Sequence, residues 1–139
     1  MDCRCRWNAS WLIAVVGLSL AGCGGADAPP LGRVSGKITM AGEPLSGLIV
    51  LFKPQEGRAA TATTDAQGRY DLEYTHGVRG AKVGPTTVMF EWPLGAKDTK
   101  ALAAKYTTQS ELKVDVKAGA NTFDFNLDGD PSKKVNVAD

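Results

Sequence analysis

From Gly32 onward, apolar and polar residues alternate with a period of two, in short runs separated by Gly, Pro, Asp and Asn. Successive side chains on a strand point to opposite faces, so this period predicts half-buried strands. Val34, Gly36, Ile38 and Met40 oppose Arg33, Ser35, Lys37 and Thr39 in a first strand. After a Gly- and Pro-rich connection at 41–47, Leu48-Ile49-Val50-Leu51-Phe52 is apolar on both faces and predicts a central strand. It ends at Lys53-Pro54, because proline cannot donate to a ladder. Gln55-Glu56-Gly57 then turns the chain into a weaker strand at 58–64. Asp65-Ala66-Gln67-Gly68 has the chemistry of a tight hairpin turn, with Asp65 to bond the backbone and Gly68 to take a positive φ.

Tyr70, Leu72 and Tyr74 oppose Arg69, Asp71 and Glu73 in the next strand, and a glycine-rich loop follows at 75–84. Thr86, Val88, Phe90 and Trp92 share one face of a strand at 85–92. The rhythm breaks at 93–110, where the helix-like window 99–105 is too short for more than one helical turn. Leu112, Val114 and Val116 form another strand face, Ala118-Gly119-Ala120-Asn121 a turn, and Phe123, Phe125 and Leu127 the last strand. Residues 128–139 have little to bury and are expected to form a disordered tail. Seven strands with short spacing and no long helix predict an all-β chain, a seven-stranded antiparallel β-sandwich without repeats or a second domain.

The N-terminus follows another rule. Arg4 and Arg6 against Asp2 give a small positive excess before the apolar run Trp11–Leu20. That run suits the apolar region of a signal peptide, whereas a spanning helix needs about 20 apolar residues. Leu20-Ala21-Gly22-Cys23 comes next, followed by the small residues and prolines of 24–30. This arrangement resembles the lipobox of a bacterial lipoprotein. The resemblance implies a signal peptide at 1–22, cleavage between Gly22 and Cys23, and diacylglycerol on Cys23. Ordinary secretion and an uncleaved anchor are the alternatives. Residues 23–31 would then be a lipidated tether whose eight residues after Cys23 reach about 28 Å at most. Gly24, where aspartate would retain a lipoprotein at the inner membrane, favours an outer membrane or cell surface; a periplasm-facing position is the other expectation.

Composition narrows the mature part. Removing residues 1–22 from 139 leaves 117, the size of one domain. The leader holds two of the 16 basic and one of the 15 acidic residues, leaving fourteen of each. No basic surplus points to nucleic acid, and no acidic block to a solvating tail. Of the three cysteines, Cys3 and Cys5 belong to the leader and Cys23 is the acylation site, so no disulfide is expected in the mature chain.

Val34-Ser35-Gly36-Lys37-Ile38, Gly42-Glu43-Pro44-Leu45-Ser46-Gly47, Val50-Leu51-Phe52 and Thr64-Asp65-Ala66-Gln67-Gly68-Arg69-Tyr70 occur in this order, with Gly84 before a strand. The order resembles the carboxypeptidase regulatory-like domain, a transthyretin-like (prealbumin-like) or Ig-like sandwich, over about 32–127. Together with the lipobox it is similar to small bacterial lipoproteins that carry one such domain. In those, the later segments resemble Ala104-Lys105-Tyr106, Glu111–Lys117 and Gly119-Ala120-Asn121-Thr122-Phe123. The family implies this fold and an extracytoplasmic setting, but no reaction and no ligand.

No catalytic set can be assembled. The hydroxyisourate hydrolases of this fold need several histidines with an arginine, and this chain has one histidine, His76, in the glycine-rich loop. It also ends Val135-Asn136-Val137-Ala138-Asp139, without their C-terminal signature. Neither Asp65-Ala66-Gln67-Gly68 nor Asp128-Gly129-Asp130 has the oxygen pattern of a calcium loop, so no metal and no cofactor is expected. Trp92 and Tyr106 flank the 93–110 loop and, with Lys105, make the candidate binding surface, an aromatic platform for a sugar ring or a peptide. For Trp92 the competing expectation is core packing, since it continues the Val88–Phe90 face. The expected role is therefore a non-catalytic envelope lipoprotein with a structural or binding function, held to the membrane by its lipid and meeting an envelope polysaccharide or protein. A carbohydrate- or peptide-binding module using 93–110 is the alternative, and a small hydrolase the remote one.

Overall fold

The computed structural model describes residues 28–130, 132–135 and 137. β1 (Leu31–Met40) realises the first alternation: Val34, Ile38 and Met40 are fully buried, while Arg33, Ser35 and Lys37 are exposed. The chain turns at Ala41-Gly42, both with positive φ, as a two-residue hairpin of the primed type requires, and β2 (Glu43–Pro44) returns along β1. In chain order there follow β3 (Ile49–Pro54), β4 (Ala60–Thr63), β5 (Arg69–Asp71), β6 (Glu73–Thr75), β7 (Val78–Arg79), β8 (Ala81–Lys82), β9 (Gly84–Glu91) and β10 (Thr99–Lys100). A 3₁₀ turn at Ala104–Tyr106 precedes β11 (Lys113–Val116), β12 (Gly119–Thr122), β13 (Phe125–Leu127) and β14 (Lys134–Val135).

Two sheets carry the fold. In one, β1 is the spine, paired with β12 and β13 on one side and with β2, β5 and β8 on the other. The second runs β11-β9-β3-β4-β6-β7, and β10 with β14 forms a small ribbon. Val34, Ile38 and Met40 of β1 share one core with Val50 and Phe52 of β3, Val88 and Phe90 of β9, Val116 and Leu127. Within it Phe52 lies 6.2 Å from Tyr70, 6.1 Å from Phe123 and 6.5 Å from Phe125, with Phe90 and Phe125 edge-on at 5.5 Å. The chain is an all-β sandwich.

Several expectations need correction. Fourteen short strands stand among the described residues where seven were expected, because single runs of alternation are divided between the sheets. The run 69–74 is one strand in the sequence but two in space: Asp71 pairs with Ser35 in the first sheet, Glu73 with Thr61 in the second, and Leu72 is the fully buried crossing point. Asp65–Gly68 forms the expected turn, but it joins β4 to β5 across the two sheets instead of closing a hairpin within one.

The pairing is not antiparallel throughout. β12 and β13 run parallel to β1, with Gly32 opposite Gly119 and Ile38 opposite Phe125. The chain enters the first sheet at the end where β1 begins, so it must run alongside β1. A Cβ at Gly32 would lie 2.0 Å from the Lys117 oxygen, and one at Gly36 1.9 Å from the Phe123 oxygen, so both approaches require glycine. Gly119-Ala120-Asn121 thus belongs to a strand instead of a turn, and Asn121 fixes it by donating to the Arg33 and Lys117 carbonyls and accepting from the Lys117 N–H.

The loop and the tail differ from expectation together. The helical turn falls at Ala104–Tyr106, not across 99–105. Thr99–Lys100 pairs with Lys134–Val135, so these tail residues are part of a sheet and not a free end.

Candidate functional site

Gly22 and Cys23, the expected cleavage and lipidation residues, lie outside the described residues. Pro30 and Leu31 are where the described chain joins the fold: the Pro30 carbonyl accepts the Val83 N–H at 2.9 Å, and Leu31 pairs with Lys82.

The three residues expected to form a binding surface are brought to one region, but not as a platform. Tyr106 is buried, and the 3₁₀ turn tucks its ring against the core; its hydroxyl donates to Asp128 Oδ2 at 3.0 Å and accepts the Asp128 N–H at 3.1 Å. Burying a tyrosine satisfies its apolar ring and its polar tip together, which leaves no face for a sugar. Trp92 is half-buried against the core and donates its indole N–H to the Lys100 carbonyl at 2.7 Å. Lys105 is exposed, but its Nζ is 2.8 Å from Asp128 Oδ2 and 4.8 Å from the Tyr106 ring centre. That hydrogen bond, followed by the one to Tyr106, raises the Lys105 pKa, and the same pair lowers that of Asp128. The platform expectation is corrected: its ring is inside and its cation is paired.

His76 is exposed in the turn between β6 and β7. Asp65 serves its turn, with Oδ1 accepting the Gln67 and Arg69 N–H groups at 2.9 Å each. Asp130 accepts from the Ser132 hydroxyl and N–H, which lowers its pKa. Among the described residues no three His, Cys, Asp or Glu side chains gather as metal ligands do.

A hollow lies elsewhere, on the outer face of the second sheet. Inward-facing Ala60 is buried on β4, so its neighbours Thr61 and Thr63 project outward. They floor a hollow of about 440 Å³, walled by Ile49 on one side and by Asp71 and Glu73 on the other. A second hollow of about 400 Å³ shares Thr61 and Glu73 and continues toward Arg58, Tyr74 and His76. Asp71 anchors the acidic wall: its Oδ2 lies 3.1 Å from Arg79 and 3.4 Å from Arg33, while its solvent-shielded Oδ1 has no hydrogen-bond partner. Together the hollows make an open polar groove of hydroxyls, carboxylates, one guanidinium and one imidazole. Sequence reasoning missed it because its walls come from four separate strands and loops, none of which carries a motif.

No protein-family model matches the chain, and no curated protein does. Among solved structures it is similar to a DUF3823 family protein from Parabacteroides merdae, at 10% identity and a TM-score of 0.42. The likeness covers 73% of this chain and 47% of that one, so the chain spans about half the length of that protein.

Proposed function

We propose that this chain is a non-catalytic lipoprotein of a bacterial envelope, anchored through Cys23, whose transthyretin-like, carboxypeptidase regulatory-like sandwich serves a structural or binding role. The observation that carries the reading is the order Leu20-Ala21-Gly22-Cys23, a short tether of small residues and prolines, and then at once a folded sandwich. Two acyl chains hold a protein stably at a membrane, and each buried methylene contributes about 0.8 kcal/mol. Among the described residues no helix is long and apolar enough to cross a membrane. Metabolic labelling with a fatty acid tests the anchor. Label on the wild type that disappears in Cys23→Ala supports it; an unlabelled wild type ends it.

A second reading, a carbohydrate- or peptide-binding module, is favoured by the Thr61–Thr63 groove in place of the 93–110 loop. Its hydroxyls and carboxylates suit a polyhydroxylated or amide-rich polymer, and its openness suits a chain instead of a small enclosed molecule. Thr63→Arg fills the floor from an exposed position without touching the core. Binding to glycan fragments of the envelope should be lost in this variant and kept in Lys105→Ala. Equal binding by wild type and Thr63→Arg would remove the groove from consideration.

A further inference from the structure

The register places several loops at one end of the sandwich, the end where β1 starts. Leu31 pairs with Lys82, Gly32 with Gly119, Pro54 with Thr86 and Val116 with Gly84. Pro54–Glu56 and Lys82–Pro85 line one hollow there, a Cβ at Gly57 would lie 3.8 Å from the Lys82 side chain, and the Lys117 carbonyl sits against Gly32. Arg58 and His76 line the neighbouring hollow where β4 begins and β6 ends.

That end is cationic and open. Arg58 and Lys117 are exposed, and neither has a carboxylate partner among the described residues; Lys82 donates to a backbone carbonyl, that of Glu56, at 3.0 Å. The acids at this end are Glu56, Glu73 and Asp115, against Lys53, Arg58, Lys82 and Lys117. At the opposite end, by contrast, Lys100 is paired with Glu43 and Lys105 with Asp128. Val78, 44% exposed, and exposed Pro85 add apolar surface beside the cations.

The length of chain before the fold supplies the second argument. Pro30 is seven residues after Cys23, which spans at most about 25 Å when fully extended. It reaches the sandwich at this end and no other, through its bond to Val83. We propose that the Arg58–Lys82–Lys117 end is a membrane-seating surface that rests on anionic phospholipid headgroups, so that the sandwich stands upright with its Asp65–Gly68 corner pointing away. This rests on the anchor at Cys23 proposed above. Headgroup phosphates supply the anionic partners that the three cations lack, and the short tether lets this end approach the headgroups to within a Debye length, about 8 Å at physiological salt.

The test uses the acylated full-length product in phosphatidylcholine vesicles with and without phosphatidylglycerol, read by amide hydrogen exchange. A basic residue near an anionic surface favours contact by about fivefold. Exchange in 54–58, 75–78, 82–85 and 117–119 should therefore slow at least tenfold when phosphatidylglycerol is present, with 41–46 and 65–68 unchanged. The triple variant Arg58→Glu, Lys82→Glu, Lys117→Glu should lose the effect while keeping wild-type exchange in the core strands. Protection of both ends alike, or of neither in a chain that carries its acyl groups and floats with the vesicles, overturns the seating alone. A chain that bears no acyl mass on Cys23 and leaves the vesicles overturns the anchor, and the seating with it.

Discussion

The corner at 64–81 and the loop at 93–110 both interrupt the strands, and they are held in opposite ways. In the corner, short-range signals and buried contacts coincide. Asp65 closes its own turn, Gly68 takes φ 74° and accepts the Ile38 N–H, and Thr64 bonds Leu45 and Leu48 from a buried position. Leu72, fully buried, donates its N–H to the Val34 carbonyl and accepts the Gly80 N–H while the chain changes sheets. The loop seats Tyr106 in the core, and its other ties are single bonds between separate segments: Trp92 to Lys100, Thr99 to Val135, Ala101 to Lys133 and Ala96 to Val137. Leu94 there is 79% exposed. A connection that changes sheets within the core must be rigid. One that runs over the surface can be long, and its partners can come from anywhere in the chain.

The largest effect that would sharpen the contrast is Leu72→Ala. It empties a site with no room to collapse between two sheets, and should cost about 3 kcal/mol in denaturant unfolding; a cost below about 1 kcal/mol would mean the crossing is not rigid. Gly68→Ala should follow at about 2 kcal/mol, since a left-handed alanine costs about 1–2 kcal/mol. Its Cβ would also stand 2.5 Å from the Ile38 oxygen. A neutral Gly68→Ala would show that the turn adapts.

Tyr70→Phe removes one hydrogen bond, from the buried hydroxyl to the Phe123 carbonyl at 2.7 Å, and should cost about 1 kcal/mol at neutral pH. Burial, and then the charge of Asp124, raises the Tyr70 pKa well above its usual 10.0. The folded state therefore keeps a proton that the unfolded chain loses above about pH 10, so this stabilisation is complete below pH 10 and declines as pH rises. The wild type should lose stability over that range more steeply than Tyr70→Phe; equal slopes would contradict the assignment. The smallest change belongs to the loop. Lys105→Ala breaks an exposed pair with Asp128 and should leave the denaturant midpoint unchanged, while a measurable loss would put the loop on the same footing as the corner.

Local alternation made much of the fold legible. The faces Val34-Ile38-Met40, Val50-Phe52 and Val88-Phe90 are buried as their period requires, and Trp92 packs on the core as the last of its run. Asp65–Gly68 was legible because its side chain and glycine act within five residues. The binding surface was not. Tyr106 reads from the sequence as an aromatic at a loop end, and only its meeting with Asp128, twenty-two residues on, turns it inward. The groove was hidden because Thr61, Asp71 and Glu73 are ordinary strand residues until their registers bring them together.

By itself, then, the sequence determined the all-β class, the inward faces, the corner turn and the lipobox-like order, since each depends on residues within reach of one another along the chain. The tertiary structure decided which sheet each strand joins, the parallel return of β12 and β13 beside Gly32 and Gly36, the pairing of 99–100 with 134–135, and the cationic end beneath Pro30. Those depend on backbone groups far apart in sequence meeting at a few ångströms. A period of two fixes which face of a strand is buried, but not which neighbour it will have.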